Sequence, residues 1–387
     1  MTDPAAPLRD LAGLGADVPW PDPDAERAAR EHTLPLDPGR PRTPYGRLAT
    51  TAGWLAGVQG RFPPRPPADP RLVVVTARHT GAPGARSLDD DAAAAAALAD
   101  RTLPALRLAD VAGIRVEVVD AGEVGDITVE DAGLTTQIVD GVDAGARLAD
   151  RMVDEGADLL VLTEVSPGAS TAAAAVIAVL TNAEPVLVSG RGSGLDDAGW
   201  AVKTAAIRDA RRRGEQVRLE TEALVAAVGG RDLALLAGLL LGASVRRTPV
   251  LVDGVSAVAA SLVARDVAAR ITRWFRLASA GTDLAEQYAV TRMGLAPLAD
   301  LGLSGVGVTA GVGGVLAVEH VRTAARLADG PLSLGRPASA DVGGHEGRGD
   351  DGDGQAPAAD LDGGGSAVLE PRGGVEQGER DAGAEGR

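Results

Sequence analysis

The sequence predicts an α/β protein with a mainly parallel, Rossmann-like sheet that is flanked by helices. Short β-branched runs such as Leu72–Val75 and Arg115–Val119 alternate with longer apolar or amphipathic stretches, which is the pattern of repeated βα units. Hydrophobic residues make up 45% of the chain, yet aromatic residues make up 2%. The core must therefore consist of Ala, Val and Leu, which suits helices packed closely on a parallel sheet.

The composition excludes several classes of function. The chain has no cysteine and four histidines, so we expect no disulfide, no thiolate nucleophile, no thiolate metal site and no His-rich metal site. A net charge of −16 over 387 residues argues against a nucleic-acid-binding surface. The longest apolar run, Leu233–Val245, is shorter than the ~20 residues of a membrane span, and no signal peptide is visible at Met1. These features predict a cytoplasmic protein without membrane contact.

Three regions are predicted. Residues 1–40 are rich in Pro, Asp and Arg and are expected to be a mostly disordered arm with one helix at Asp24–His32. Residues 41–329 form the α/β domain, in which 41–70 and the C-terminal helices make a small helical subdomain. Residues 330–387, with 12 acidic residues against five arginines, are expected to be a disordered acidic tail rich in Gly and Asp.

Each element within the domain follows from its pattern. Short β-branched or apolar runs predict strands, a 3.6-residue apolar period predicts helices, and Pro or Gly marks their ends. In chain order we predict a helix at Leu48–Gln59, a strand at Leu72–Val75, a helix at Asp89–Leu103, a strand at Arg115–Val119, a helix at Glu130–Gly156, a strand at Leu159–Leu162, an Ala-rich helix after Thr171, a strand at Pro185–Val188, helices at Lys203–Arg213 and Thr221–Leu241 (the latter interrupted at Gly229–Gly230), a strand at Pro249–Val252, a helix at Ser256–Val263, a strand at Arg273–Leu277, and helices at Asp283–Met293 and Val315–Leu327.

The stretch Ala157–Lys203 carries the strongest functional signal. Its two apolar runs, Leu159–Leu162 and Pro185–Val188, each end in a loop of small residues, Thr163–Thr171 and Gly190–Gly194. We interpret this stretch as a βαβ unit with two anion-binding turns. Ligands of parallel sheets bind at the carboxyl ends of strands, so both loops are candidate site elements.

The first loop offers a carboxylate and a helix start. Glu164 is a candidate general base or acceptor of a ribose hydroxyl, or else a solvated loop charge. Gly168 allows close backbone approach, and Ser170 or Thr171 is expected to cap the Ala-rich helix, whose free N–H groups face either an anion or solvent.

The second loop has the spacing Gly-x-Gly-x-Gly. Glycine amides can approach a phosphate closely, and arginine can pair with it, although the alternative is a set of tight turns that need positive φ. The loop lacks both the Rossmann spacing and the Walker lysine, which excludes a plain NAD or P-loop site. Its candidate phosphate-binding residues are Gly190, Arg191, Gly192, Ser193, Gly194 and the later Lys203, which we expect to be solvated but near the loop.

Two further residues end predicted strands. Asp253 either serves the substrate or caps the helix that follows it, and His79 is either structural or functional. The pair Asp283 and Glu286 is most simply one face of a helix start. On these residues alone the chain is an α/β protein with two candidate phosphate-binding loops and a substrate that the residues do not identify.

The central stretch resembles the nicotinate-nucleotide–dimethylbenzimidazole phosphoribosyltransferases of cobalamin biosynthesis. The family writes Gly-Glu-Met-Gly-Ile-Gly-Asn-Thr-Thr where this chain has Thr163–Thr171, and Gly-x-Gly-Thr-Gly where it has Gly190–Gly194. Asp196–Trp200 and Lys203 are similar to actinobacterial members, and Pro249–Gly254 also fits. The similarity spans roughly residues 45 to 327.

The resemblance implies a reaction and a set of partners. The family transfers the 5-phosphoribosyl group of nicotinate mononucleotide to a nitrogen of a benzimidazole-type base and releases nicotinate, without a metal or cofactor. Phosphate and ribose would bind at the loop residues above and at Asp253. The base would bind in a pocket with His79, Ser87, Leu303 and Thr309. The chain is expected to form a homodimer, or a heterodimer with a homologue.

The chain departs from the family at the catalytic base. The family's Leu-Gly-Glu-Gly-Thr-Gly follows Asp-Leu-Gly-Leu, and ungapped alignment places Gly307 at the position of its catalytic glutamate. The family's Gly-His-Arg-Ser-x-Glu-Pro-Gly-His is replaced by Ala278–Glu286, with loss of both histidines and the arginine. Two hypotheses follow: an enzyme of reduced or altered activity that recruits Glu164 as base, or an inactive paralogue that binds a nucleotide or assists an active homologue.

Overall fold

Helices and strands alternate along the computed structural model, which describes residues 8–33, 45–81, 88–192 and 194–329. In these ranges the strands are β1 (Pro70–His79), β2 (Arg115–Val124), β3 (Leu159–Glu164), β4 (Val250–Val252), β5 (Phe275–Leu277), β6 (Ser279–Gly281) and β7 (Ala299–Leu303). The helices are α1 (Leu11–Asp17), α2 (Pro23–His32), α3 (Arg47–Gln59), α4 (Leu88–Ala99), α5 (Pro104–Val111), α6 (Thr135–Asp154), α7 (Ala169–Thr181), α8 (Asp197–Gly214), α9 (Thr221–Val228), α10 (Arg231–Val245), α11 (Val255–Val267), α12 (Leu284–Met293) and α13 (Val312–Asp329).

Five strands form one parallel sheet in the order β2-β1-β3-β4-β5. The central strand β3 is buried along its whole length, as expected for a parallel strand with helices on both faces. Val75 of β1 pairs with Glu164, and Leu162 pairs with Val252 of β4, so three strands end at the same edge. The predicted α/β fold with a mainly parallel sheet is confirmed.

The helices approach closely because their contact residues are small. Glycines lie at the crossing of α6 and α10. A Cβ on Gly145 would lie 2.2 Å from the Leu235 carbonyl oxygen, and a Cβ on Gly238 would lie 2.1 Å from the Val142 carbonyl oxygen. Leucine, valine and alanine side chains fill most of the remaining core. The core thus has the composition that the sequence predicted.

Helices from both ends of the described chain pack together. Ala52 of α3 forms a small buried cluster with Ala324 and Ala328 of α13, and the Thr51 hydroxyl lies 3.1 Å from Nε2 of His320. This agrees with a helical subdomain built from the segment 41–70 and the C-terminal helices. The predicted domain boundaries remain predictions, and the acidic tail lies outside the described residues.

The prediction of a mostly disordered arm at residues 1–40 is wrong for its described part, residues 8–33. Both α1 and α2 begin at an aspartate cap: Asp10 accepts from the Gly13 N–H at 2.7 Å, and Asp22 accepts from the Asp24 N–H at 2.9 Å. Leu11 is fully buried in the main core. The Pro- and Asp-rich composition therefore reflects helix starts rather than disorder.

The predicted strand at Pro185–Val188 is also wrong. Pro185–Leu187 is a 3₁₀ turn, and Val186 and Leu187 are each 51% exposed. Proline favours a turn start because it has no N–H to donate to a strand. β3 is followed in the sheet by β4, so the central stretch is a strand, a helix and a turn rather than a βαβ unit.

Other boundaries differ by a few residues. Pro104 begins α5 instead of merely ending the preceding helix, since the first helical position needs no N–H partner. The long helix predicted from Glu130 begins at Thr135, where Oε1 of Gln137 accepts from the Leu134 N–H at 2.8 Å. In the described part of the chain, no helix combines the length and apolar character needed to cross a bilayer.

The contact between α6 and α10 generates a prediction. Gly145→Ala should lower the free energy of unfolding by about 2 kcal/mol, because overpacking forces the two helices apart and outweighs the better helix propensity of alanine. Urea denaturation followed by circular dichroism measures this change. Asp140→Ala, at an exposed position of the same helix, is the control and should leave stability nearly unchanged. Equal stability of the two variants would contradict the close approach.

Candidate active site

The loops at the carboxyl edge of the sheet meet. A Cβ on Gly168, after β3, would lie 3.1 Å from Cβ of His79, the last residue of β1. A Cβ on Gly254, after β4, would lie 2.5 Å from the carbonyl oxygen of Gly305, in the turn after β7. Parallel strands with short loops produce this convergence, and it is where ligands of such sheets bind.

The helix α7 begins at this edge without a side-chain cap. Its N-cap is Gly168 at φ 89°, a left-handed conformation that favours glycine. The expectation that Ser170 or Thr171 caps the helix is therefore wrong, because both lie in its first turn. The Thr171 Oγ1 is buried and has no hydrogen-bond partner among the described residues. The first turn thus presents hydroxyl groups and the positive end of the helix dipole.

The glycine loop lies against this first turn. Gly192 and Gly194 have φ values of 53° and 118°, so the loop does need glycine at these positions. A Cβ on Gly192 would lie 3.3 Å from Oγ of Ser170 and 3.5 Å from Nζ of Lys203. Ser193 lies outside the described residues. The two predicted anion-binding turns therefore form one surface.

The expectation that Lys203 is solvated is wrong. Its side chain is 1% exposed, and Nζ donates a hydrogen bond to Oγ of Ser170 at 2.9 Å. Arg191 behaves differently, since its half-exposed guanidinium donates to Asp197 Oδ1 at 2.5 Å and to the Leu195 carbonyl at 2.9 Å. The buried cation beside α7 is thus Lys203 and not Arg191. Gly190 packs against Asp283.

A buried cluster lies beneath the loops. Nε2 of His79 lies 2.9 Å from Oδ2 of Asp232, and Ser166 Oγ donates to Oε1 of Glu164 at 2.7 Å. Glu164 and Asp232 are hydrogen-bonded to each other, and Ser256 donates to Glu164. All three ionisable side chains are buried, so the possibility that Glu164 is a solvated loop charge is wrong.

Burial and the negative charge of Asp232 raise the pKa of Glu164 well above its ordinary value. Burial alone would also raise the pKa of Asp232, but the adjacent His79 and the hydrogen bond from Glu164 lower it overall. The proton of the carboxyl pair therefore resides on Glu164, and the negative charge resides on Asp232 beside the imidazole.

Among the described residues, His79, Glu164 and Asp232 form a group that could hold a metal ion, since one ligand atom from each lies within 4.8 Å of the others. An imidazole and two carboxylates suit a divalent cation. The proton shared by Glu164 and Asp232 already neutralises one negative charge of the pair. The expectation of no metal site stays a prediction.

Asp253 follows β4 and is held by the start of α13. Its carboxylate accepts hydrogen bonds from the N–H groups of Gly311, Gly313 and Gly314, while Oδ2 has no partner among the described residues. Burial raises the pKa of Asp253 to about 6, although these N–H groups lower it. It does not cap α11, the helix after it, whose N-cap is Gly254 without a side-chain hydrogen bond. That alternative is wrong.

Glu286 lies next to Asp253, in α12. Asp283 is the N-cap of α12 and Glu286 lies in its first turn, so the interpretation of the pair as one face of a helix start is confirmed. Glu286 is nevertheless only 1% exposed. Oε1 accepts from the Gly281 N–H at 2.9 Å, and Oε2 has no partner among the described residues. Burial, followed by the charges of Asp253 and Asp283, raises the pKa of Glu286 to about 8.

The turn after β7 covers this second carboxyl pair. Leu303, half-buried, lines a crevice with Asp253, Gly281 and Glu286. The Thr309 hydroxyl is used inside its own turn, where it donates to the Val306 carbonyl at 3.0 Å. Gly307 has φ 57°, and Ser87 lies outside the described residues.

Sequence reasoning did not identify Asp232 or Ser166 as site residues, and it did not identify the buried position of Glu286. Asp232 carried a signal, because it is a lone carboxylate at the start of the strongly apolar run Leu233–Val245. Such a residue in a buried helix needs a partner. Its partner His79 lies 153 residues away in the chain, a distance that one sequence does not bridge.

The chain is similar to known proteins over most of its length. Residues 18–334 match the family model described as phosphoribosyltransferase. Among curated proteins it is 39% identical over 330 residues to the nicotinate-nucleotide–dimethylbenzimidazole phosphoribosyltransferase of Mycobacterium avium, covering 80% of this chain and 93% of the relative. The Mycobacterium tuberculosis protein of the same name is 39% identical over 307 residues, covering 74% and 84%. A CobT crystal structure from Thermus thermophilus superimposes with a TM-score of 0.71 at 26% identity, covering 79% of this chain and 96% of that one.

The buried carboxyls generate a prediction about pH. A carboxyl whose pKa is higher in the folded protein binds its proton more tightly there. Its contribution to stability is complete below the unfolded pKa, near 4.5 for glutamate, and is lost as the pH rises through the folded pKa, about 8 for Glu286. Glu286→Gln should therefore stabilise the protein at pH 9, by an amount on the order of 4 kcal/mol, and much less at pH 5.

Denaturation midpoints measured from pH 5 to 9 test this expectation. The exposed Glu31 provides the control, because Glu31→Gln should follow the wild-type curve at every pH. Parallel curves for wild type and Glu286→Gln would contradict a raised pKa at Glu286.

Proposed function

The chain belongs to the nicotinate-nucleotide–dimethylbenzimidazole phosphoribosyltransferase family, and on that premise we propose that it transfers the 5-phosphoribosyl group of nicotinate mononucleotide to a nitrogen of a benzimidazole-type base, in the synthesis of the lower ligand of cobamides. The observation that carries the proposal is the joint surface of Gly192, Ser170 and Lys203 at the start of α7. This surface carries the ammonium group of the buried Lys203, which supports the binding of a phosphate.

The phosphate would bind at this surface through three kinds of donor. The helix dipole of α7 favours an anion, the glycine turn brings amides close, and the buried Lys203 supplies a full charge. A bound 5-phosphate would pair with the ammonium group of Lys203, whose Nζ donates to the Ser170 hydroxyl at 2.9 Å.

The proposed reaction breaks one C–N bond and forms another. The azole nitrogen forms a bond to C1′ of the ribose, while the bond from C1′ to nicotinate breaks and its electron pair leaves with nicotinate. Positive charge develops at C1′, so nearby carboxylates stabilise the transition state. Asp253, with a pKa of about 6 and an unpartnered Oδ2, is mostly ionised at neutral pH and suits this role or the binding of ribose hydroxyls.

We also propose an oligomeric state and a location for the protein. We expect a homodimer, or a heterodimer with a homologue, acting in the cytoplasm. Size-exclusion chromatography with light scattering on the purified chain tests self-association.

Lys203→Met tests the phosphate surface. Loss of a charged hydrogen bond of ~1.5–3 kcal/mol should raise the KM for nicotinate mononucleotide by about 10- to 100-fold. The assay incubates the protein with nicotinate mononucleotide and 5,6-dimethylbenzimidazole, and separates the riboside phosphate and nicotinate by chromatography. Arg212→Met, an exposed position on the same helix, is the control and should keep the wild-type KM.

Two results would contradict the proposal in different ways. An unchanged KM in Lys203→Met would remove the lysine from the site. A wild-type chain that binds the mononucleotide in a calorimeter but forms no product with any benzimidazole would favour the inactive, nucleotide-binding paralogue.

A further inference from the structure

The carboxyl of Glu286 has a buried oxygen, Oε2, without a hydrogen-bond partner among the described residues, and the proposed reaction needs a proton acceptor. When one azole nitrogen bonds to C1′, the second nitrogen must lose its proton. Gly307 stands at the family's base position, and it has no side chain to accept that proton. An ionisable group from another segment is therefore needed, and this requirement rests on the proposed function.

Glu286 lies against the turn that contains Gly307. Its Oε2 is 3.4 Å from the place where a Cβ of Gly305 would stand, and it borders the crevice lined by Asp253, Gly254 and Leu303. A Cβ on Gly281 would lie 2.4 Å from the same oxygen. Glycine at 281 thus leaves room for the carboxyl.

The two oxygens of Glu286 have different surroundings. Oε1 is fixed by the Gly281 N–H at 2.9 Å, and the neighbouring Gln287 donates to the Gly281 carbonyl at 3.1 Å. Oε2 is buried and has no hydrogen-bond partner in the described chain. A buried acceptor that is left unpaired costs free energy, which a ligand N–H would recover.

Glu164 is less suited to the same task. Its carboxyl is hydrogen-bonded to Asp232, Ser166 and Ser256 within the buried cluster. Both Glu164 and Glu286 would have to ionise beside other carboxylates, so the difference between them lies in these hydrogen bonds and not in the neighbouring charge. Burial, followed by the charges of Asp253 and Asp283, raises the pKa of Glu286 to about 8, and its buried Oε2 has no hydrogen-bond partner among the described residues.

We propose that Glu286 is the catalytic base of this chain: its Oε2 takes the proton from the azole nitrogen that does not bond to ribose. The base is carried by helix α12 instead of the turn after β7. The azole N–H bond breaks, its electron pair stays in the ring, and the proton is held on Glu286 until solvent removes it after nicotinate leaves.

The test compares azoles that differ in acidity. Benzimidazole keeps its proton in water at pH 8, whereas the more acidic benzotriazole is partly ionised in mildly alkaline buffer and needs less help from a base. Glu286→Gln keeps an oxygen for the Gly281 N–H but cannot accept a proton. It should lose about 10²- to 10⁴-fold in turnover with benzimidazole and much less with benzotriazole, with unchanged calorimetric affinity for nicotinate mononucleotide.

The matched control is Glu164→Gln, which removes a buried carboxyl from the other cluster. It should lower turnover with both azoles by a similar factor, if it lowers turnover at all. A selective loss with benzimidazole in Glu164→Gln instead of Glu286→Gln would assign the base to Glu164 and overturn the inference. Wild-type turnover with benzimidazole should also rise with pH through about 8.

The outcomes separate this inference from the proposed function. If the wild-type chain forms product and Glu286→Gln forms it equally well from benzimidazole, the inference fails and the function stands. If the wild-type chain forms no product from either azole, the function fails and the inference fails with it. Should Glu286→Gln not fold, a wild-type pH profile without a limb near 8 overturns the inference by itself.

Discussion

Parallel pairing of β3 with β1 and β4 is the constraint on which the site depends. It brings His79, Glu164 and Asp253 from three strand ends to one edge of the sheet. The pairing of β4 is short, with three residues in register against β3. A slip of one residue would turn Asp253 to the opposite face of the sheet, away from the amides of α13. The geometry of the acid groups is therefore a property of strand register more than of loop conformation.

The buried carboxyls at this edge of the sheet need compensation for their charge. Each buried carboxyl is compensated in a different way. Glu164 is protonated and hydrogen-bonded to Asp232, Asp253 accepts hydrogen bonds from the amides at the start of α13, and Glu286 accepts one from the Gly281 N–H. The compensation is incomplete at Asp253 and Glu286, because Oδ2 of Asp253 and Oε2 of Glu286 have no hydrogen-bond partner among the described residues. Incomplete compensation is costly in a purely structural core but is typical of a site that awaits a polar ligand.

The sequence predicted the parts of this arrangement that are local. β-branched runs, the Ala-rich helix and the glycine loops are encoded by neighbouring residues, and they lie where the patterns placed them. The burial of Lys203 and the pairing of Asp232 with His79 depend on residues far apart in the chain, which no local pattern reports. Pro185–Val188 shows the opposite failure, since this apolar run has the length of a strand but forms a 3₁₀ turn in which Val186 and Leu187 are each 51% exposed.

The turn after β7 explains why the acid sits elsewhere. Gly307 has φ 57°, and Gly305, two residues earlier, has φ 70°, so a side chain at either position would strain the backbone by ~1–2 kcal/mol. A turn of this kind is poorly able to hold a carboxylate in one position. A helix holds its side chains on a rigid frame, and Glu286 on α12 gains a fixed Oε1 from the Gly281 amide. Gly281, where a Cβ would lie 2.4 Å from Oε2, leaves the space that the carboxyl of the neighbouring helix occupies.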